Sequence, residues 1–411
     1  REESLEPRLD ASRSVRQPVT STSEAEEAFD GLVYEKGASV IGMLERWLGP
    51  DVFRAGVRSY IKGHEHGNAT AEDLFAALAN ASGRDVSAVA STFLDQPGVP
   101  LVRAELVCEK KKAPRVTLSQ SRYRARPASD EERNDALWKI PVCIAYEGAD
   151  KNAPVCGLLE TRDSSIDLPA KTCPRWMFPN AEESGYYRFA LPKKGIAALV
   201  GAGKSLDLRE RVGLVANAWA LVQSGDMRSD ELLDLLAGMK KERSRLVLEQ
   251  MIEALDHVSD ALVDDASRPA FRAFVSSLLL PIAKELGWDA KKSDTEDQRL
   301  TRRSVLTALG TLTDDRWMRR EADLRADRFL ADPASIDADS AEIALQVSTR
   351  HAGDERLTQL LEAVPRAATP EVRVILVRAL GSFGDPALLR RGLDAALDSR
   401  IKVQDAVYIY D

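Results

Sequence analysis

Tyr34 is the residue of this chain best suited to chemistry. It stands in the run Phe29-Asp30-Gly31-Leu32-Val33-Tyr34-Glu35-Lys36-Gly37-Ala38, just ahead of a strongly amphipathic stretch. A phenol is a neutral hydrogen-bond donor at pH 7. It stabilises an oxyanion that forms during a reaction more than the carbonyl from which that oxyanion arises. Gly37 and Ala38 follow within one turn, and residues this small let a ligand or a second backbone come close. Glu35 and Lys36 flank the phenol in a segment that otherwise reads as buried.

Other chemical groupings are weaker. His64-Glu65-His66 places two imidazoles two residues apart, and on a helix such positions point about 200° apart. A helical zinc pair needs i, i+4 spacing. The remaining histidines, His257 and His351, are far away in sequence, so a solvated helix end is expected here. Gly201-Ala202-Gly203-Lys204-Ser205 has the last residues of a phosphate loop, but the glycine required five positions before Gly203 is Ala198. A connector between helices is expected instead. No GxSxG, no GxGxxG and no Cys/His nucleophile pattern occurs.

The elements that must hold Tyr34 come next. Residues 1–23 are polar and carry Pro7 and Pro18, which predicts an irregular lead-in over an existing surface. Helical periodicity begins at Glu24, with Ala38, Ile41, Leu44, Trp47 and Leu48 proposed on one face. Gly49-Pro50-Asp51 separates this helix from a second, bearing Phe53, Val57, Tyr60 and Ile61. A third opens at the cap Thr70 and carries Leu74, Leu78 and Ala81, and a fourth spans about 86–94. After Gln96-Pro97-Gly98-Val99-Pro100 the apolar period falls to two. Strands are predicted at 101–108, 115–120 and 139–146, with shorter ones near 155–159, 165–168 and 186–191, which suggests a small antiparallel sandwich. From Leu191 the chain is helical again. Stretches at 208–224, 229–236, 241–255, 260–286, 299–312, 317–330, 340–349, 355–364, 370–382 and 386–397 are joined by short loops in the manner of a HEAT-like superhelix.

Composition bounds the function classes. The 411 residues are 44% hydrophobic and 30% charged, enough for roughly two to four domains. A formal charge of −8 disfavours a nucleic-acid partner, and no apolar run approaches a membrane span. The four cysteines all lie between Cys108 and Cys173. Their clustering leaves two readings open: one or two disulfides in an extracytoplasmic protein, or buried thiols in a cytoplasmic one. Arg1 and Asp411 both read as cuts in a longer chain.

Residues 29–48, FDGLVYEKGASVIGMLERWL, resemble the segment that follows the zinc site in the M1, gluzincin-type aminopeptidases. The likeness continues in order. Asp51-Val52-Phe53 to Tyr60-Ile61 is similar to the next helix, and His66-Gly67-Asn68-Ala69-Thr70 with Asp73-Leu74 to a turn of that family. Phe93 through Gln96-Pro97-Gly98-Val99-Pro100-Leu101-Val102 resembles the exit from its catalytic domain. Asn180 with Gly185-Tyr186-Tyr187-Arg188 resembles the end of its sandwich domain, and the tail, including Ile401-Lys402-Val403-Gln404-Asp405, its helical domain.

This resemblance implies a mainly helical multidomain fold. Residues 1–97 would be the end of a thermolysin-like catalytic domain, 98–191 an antiparallel β-sandwich and 192–411 a HEAT-like α-superhelix. It implies a zinc enzyme that removes N-terminal residues from peptides, with Tyr34 as the oxyanion donor. The family's HExxH, third zinc ligand and GxMEN strand do not occur in this sequence. Zinc is therefore expected in a longer parent protein and not in this chain, which should be inactive without the missing N-terminal half. A non-catalytic scaffold of the same fold, or a helical binding module, would share most of these features.

Overall fold

The computed structural model of the protein describes residues 13–129, 133, 136–150 and 154–410. Residues 1–12, half of the expected lead-in, lie outside them. The chain forms two compact units, Arg1–Lys241 and Glu242–Asp411.

The first unit opens with an irregular stretch whose Arg16 amide donates to Leu94 O at 3.0 Å and whose guanidinium pairs with Glu72 and Asp95. Ser21 and Glu24 form a capping box that starts α1 (Thr22–Ala28). Asp30 caps α2 (Gly31–Leu48). Tyr34 thus lies inside the first turns of α2 rather than ahead of it. The buried face also differs from the expected one. Val40, Met43, Leu44, Trp47 and Leu48 are inside, whereas Ala38 and Ile41 are exposed. The inner stripe runs 36-40-43/44-47/48, the i, i+4, i+7 series begun by Lys36, and Ala38 and Ile41 fall outside it.

Three further helices follow: α3 (Pro50–Gly63), α4 (Ala71–Ser82) and α5 (Val86–Leu94). Thr70 and Asp73 make the capping box of α4, as the sequence predicts for Thr70. Phe75 and Leu78 anchor that helix, while Leu74 is only half-buried and Ala81 exposed.

The strands are β1 (Pro100–Val107), β2 (Arg115–Arg122), β3 (Ile140–Tyr146), β4 (Val155–Leu159), β5 (Asp163–Asp167), β6 (Met177–Phe178) and β7 (Arg188–Ala190). They form a four-stranded sheet in the order β5-β2-β1-β7 and a three-stranded sheet in the order β4-β3-β6. Most pairs are antiparallel, but β1 and β7 are parallel, with Leu101 opposite Arg188 and Arg103 opposite Ala190. The expected all-antiparallel sandwich is corrected at that edge. The two sheets are linked by the buried Gln120 of β2. Its amide donates to Trp138 O (2.9 Å) and Thr161 O (3.0 Å), and its Oε1 accepts from Trp138 N (2.9 Å). A buried amide satisfied on both sides costs little and fixes the register of the layers. Two disulfides close this region, Cys108–Cys173 and Cys143–Cys156, the latter between directly opposed residues of β3 and β4. The thiol alternative is thereby set aside.

Helices α6 (Lys193–Ala202), α7 (Leu208–Ser224) and α8 (Ser229–Gly238) complete the unit. Asn217 of α7 exchanges two hydrogen bonds with the backbone of Phe189, accepting from its N–H at 2.9 Å and donating to its carbonyl at 2.6 Å. The side chain thus continues the ladder beyond the edge strand β7. Asp226 gathers Arg103, Arg133 and Ser224 at 2.6, 2.6 and 2.7 Å.

The second unit contains α9 (Arg245–Leu262), α10 (Arg268–Leu286), α11 (Glu296–Leu312), α12 (Arg316–Ala331), α13 (Ala338–Arg350), α14 (Asp354–Ala363), α15 (Pro370–Leu380) and α16 (Pro386–Asp394). Side-chain caps at Thr295, Asp315, Asp337, Thr369 and Asp385 start five of them, which is why the loops can be short. The expected helix from residue 260 is broken: α9 ends at Leu262, and an Asp264–Ser267 turn precedes α10. Phe329, Leu345, Leu360, Leu376, Leu380 and Phe383 belong to its core. The chain is therefore mainly helical with two small sheets.

Candidate active site

The loop between α1 and α2 sets the position of Tyr34. Asp30 Oδ1 accepts from Val33 N at 3.0 Å, and Arg13 pairs with Asp30 Oδ2 at 2.7 Å while donating to Ala28 O. Partial burial pushes the Asp30 carboxyl up, but the bonds from Val33 and Arg13 outweigh it and hold it below the ordinary carboxylate range. The cap therefore stays ionised at the positive end of the helix.

Tyr34 itself is 61% exposed. Its ring lies 6.1 Å from that of Phe29, tilted by 49°, and its hydroxyl makes no hydrogen bond among the described residues. Ala38 and Ile41 continue the same outward face. Gly37 has open space where a Cβ would stand, so no described residue requires a glycine there. The phenol is presented outward.

The opposite side of the same turn is anchored. Lys36 is only 1% exposed. Its Nζ donates to Gln96 O at 3.0 Å and Gly98 O at 3.3 Å and lies 5.6 Å from the centre of the Tyr186 ring. No carboxylate pairs with it among the described residues. Burial, with the charge of Arg122 adding to it, pushes the Lys36 ammonium down to about 8. Between the two carbonyls held by Lys36, Pro97 O accepts from Arg122 Nη1 at 2.9 Å. Three successive carbonyls are thus held by two cations. Gly98 takes φ +85°, and a Cβ there would sit 3.1 Å from Arg122 Nη1. Both facts call for glycine at this position. Tyr186 reaches Lys36 from a loop that Asn180 closes through Gly185 N (2.7 Å) and Gly185 O (3.3 Å). A Cβ on Gly185 would collide with the Tyr187 ring.

Lys36, Arg122 and Gly98 carry this arrangement; the sequence reading names Lys36 only as a flank of Tyr34 and Gly98 only within a break, and gives Arg122 no role. The available signal was the phase of Lys36, four residues before Val40 and seven before Met43 on the inner face. The other groupings stay apart. His64 Nδ1 meets Tyr60 O at 2.9 Å and Nε2 lies 3.6 Å from Asp73, whereas the His66 side chain is 91% exposed. Gly201 and Ala202 end α6, and Gly203–Ser205 form a 3-10 turn rather than an open loop.

The sequence model of the ERAP1-like C-terminal domain matches residues 176–411, more than half of the chain, and that of the peptidase family M1 domain matches residues 2–93, which include Tyr34. The chain belongs to the M1 aminopeptidase family. Aminopeptidase 2 of Candida albicans is 28% identical over 98% of this chain and 43% of its own length. Aminopeptidase M1 of Arabidopsis thaliana is 29% identical over 97% and 47%, and the glutamyl aminopeptidase of Bitis rhinoceros 27% over 97% and 42%. The chain spans less than half the length of these curated relatives.

For a member of this family the metal question is immediate. Among the described residues, no group of three or more His, Cys, Asp or Glu side chains could hold a metal ion. All four cysteines are in disulfides. The described residues of this M1 chain do not fit a zinc site. Nor is any described helix long and apolar enough to cross a membrane.

Proposed function

We propose that this chain is the C-terminal part of a zinc aminopeptidase that releases N-terminal residues from peptides, with Tyr34 as the donor to the oxyanion. The observation that carries this is the presentation of the phenol: outward, with no hydrogen bond to the described residues, on a helix whose inner side is fixed. As water adds to the scissile carbonyl, negative charge collects on its oxygen. A donor already in place there costs no reorganisation at that moment and typically contributes about 3 kcal/mol. Zinc belongs to the longer parent, whose ligands lie outside this chain, and the chain alone does not hydrolyse peptides. In this reading the chain has a three-part organisation at 1–97, 98–191 and 192–411 with a HEAT-like last part; of that last part, residues 192–241 belong to the first compact unit. The two disulfides favour folding in an oxidising, extracytoplasmic compartment.

The deciding experiment uses the full-length protein. Tyr34→Phe is expected to lower kcat by roughly 100-fold or more, leaving KM and zinc content near those of the wild type. Undiminished turnover in that variant would remove Tyr34 from the mechanism.

A further inference from the structure

We propose that Lys36 is a positioning residue for Tyr34: its buried ammonium, fixed on the Gln96 and Gly98 carbonyls, sets where the phenol points. This rests on the reading of Tyr34 as an oxyanion donor.

The argument starts from helix geometry. Residues two apart on an α-helix face nearly opposite ways, about 200° around the axis. Tyr34 therefore looks outward while Lys36 looks inward, within one turn. Among the described residues the Tyr34 hydroxyl makes no hydrogen bond, and its ring neighbour, Phe29, is itself 70% exposed. The direction of the phenol is inherited from the backbone of its turn. Among the described residues, two side chains restrain that backbone in different ways. One is the exposed cap at Asp30. The other is Lys36, the first buried residue of α2, with the next at Val40.

The anchor on the far side is stiff. Gln96 donates its own amide to Thr92 O and Leu137 O, both at 3.0 Å. Pro97 has a fixed φ, and its carbonyl is taken by Arg122. Gly98 leads directly into the strand β1. A hydrocarbon side chain at position 36 would fill the same space and would be the ordinary choice for burial, since a buried cation without a counter-ion is costly. What the ammonium adds is direction: hydrogen bonds to two carbonyls two residues apart fix the rotation and the height of the turn together. Positioning within about 0.5 Å is the tolerance that an oxyanion donor requires.

The test is a double-mutant cycle in the full-length, zinc-loaded protein, with hydrogen exchange as a second readout. Lys36→Met is expected to lower kcat at least tenfold with little change in KM or zinc content. In the Tyr34→Phe background the same substitution should have almost no further effect, because Lys36 acts through the phenol. Amides 31–38 should exchange faster in Lys36→Met and not in Tyr34→Phe. If Lys36→Met does not fold, the same cycle is run with Lys36→Gln, which keeps a donor and should retain more activity. An equal loss in both backgrounds would make Lys36 a general structural residue and overturn the proposal, as would unchanged kcat. Full activity in Tyr34→Phe alone would instead overturn the role given to Tyr34.

Discussion

The two disulfides make a quantitative prediction about stability. Cys108–Cys173 closes 65 residues and Cys143–Cys156 closes 13. Chain-entropy arguments assign about 4 kcal/mol to a loop of the first size and about 3 kcal/mol to the second. The smaller loop lies inside the larger, so with the inner bond intact the outer one closes a somewhat shorter path. The dependence on loop length is logarithmic, and the correction is only a few tenths of a kcal/mol. Both bonds lie in the first unit, and residues 242–411 contain no cysteine. The Cys108→Ser/Cys173→Ser protein should therefore unfold its first unit about 10 °C lower, at ~2–4 °C per kcal/mol for a unit of this size. Cys143→Ser/Cys156→Ser should lower it by somewhat less, because its loop is shorter. Differential scanning calorimetry under non-reducing conditions reads both shifts. A transition belonging to the second unit should stay in place. The reasoning fails if the outer bond proves the weaker of the two, or if loss of either bond moves both transitions equally.

Two further predictions concern single side chains. The Lys36 ammonium is pushed from an ordinary 10.5 down to about 8 by burial and by Arg122, with the Tyr186 ring as its other neighbour. Between those values the unfolded chain binds more protons than the folded one, so this residue makes stability rise with pH from about 8 towards 10.5, by up to about 3 kcal/mol. Denaturant titrations of wild type and Lys36→Met should diverge in that direction, and a difference that is flat or shrinks with pH would contradict it. Asn217→Leu removes both bonds to Phe189 and leaves two buried backbone groups unpaired, which should cost about 2–4 kcal/mol; a loss below 1 kcal/mol in urea would show that those groups find other partners.

Much of the fold was legible because it is written locally. Thr70 caps α4 and the run 115–120 lies in the strand β2, since caps and period-two alternation are properties of neighbours in sequence. What was not legible depends on distant partners. The irregular cysteine intervals do not specify pairing. The parallel edge between β1 and β7 joins residues more than 80 apart, and β6 is only two residues long. The inner face of α2 was misjudged because Ala38 and Ile41 are apolar yet exposed, while the buried position on that turn is a lysine. A cation held by carbonyls has no sequence signature; only its phase against Val40 and Met43 points inward. Tyr34 was found through its motif, but its lack of internal hydrogen bonds is a fact of three dimensions.

The parallel pairing of β1 with β7 has a mechanical consequence. The chain enters the sandwich at the start of β1 and leaves it at the end of β7, and because the strands run the same way these two points lie at opposite ends of the pair. Tension along the polypeptide therefore loads the bonds between Leu101–Arg103 and Arg188–Ala190 in shear. They must break together instead of opening one at a time from an end. Asn217, bonded to Phe189 on the outer side of β7, braces that strand against sliding. Pulled from its flanking segments, the sandwich should resist as a single clasp and release abruptly.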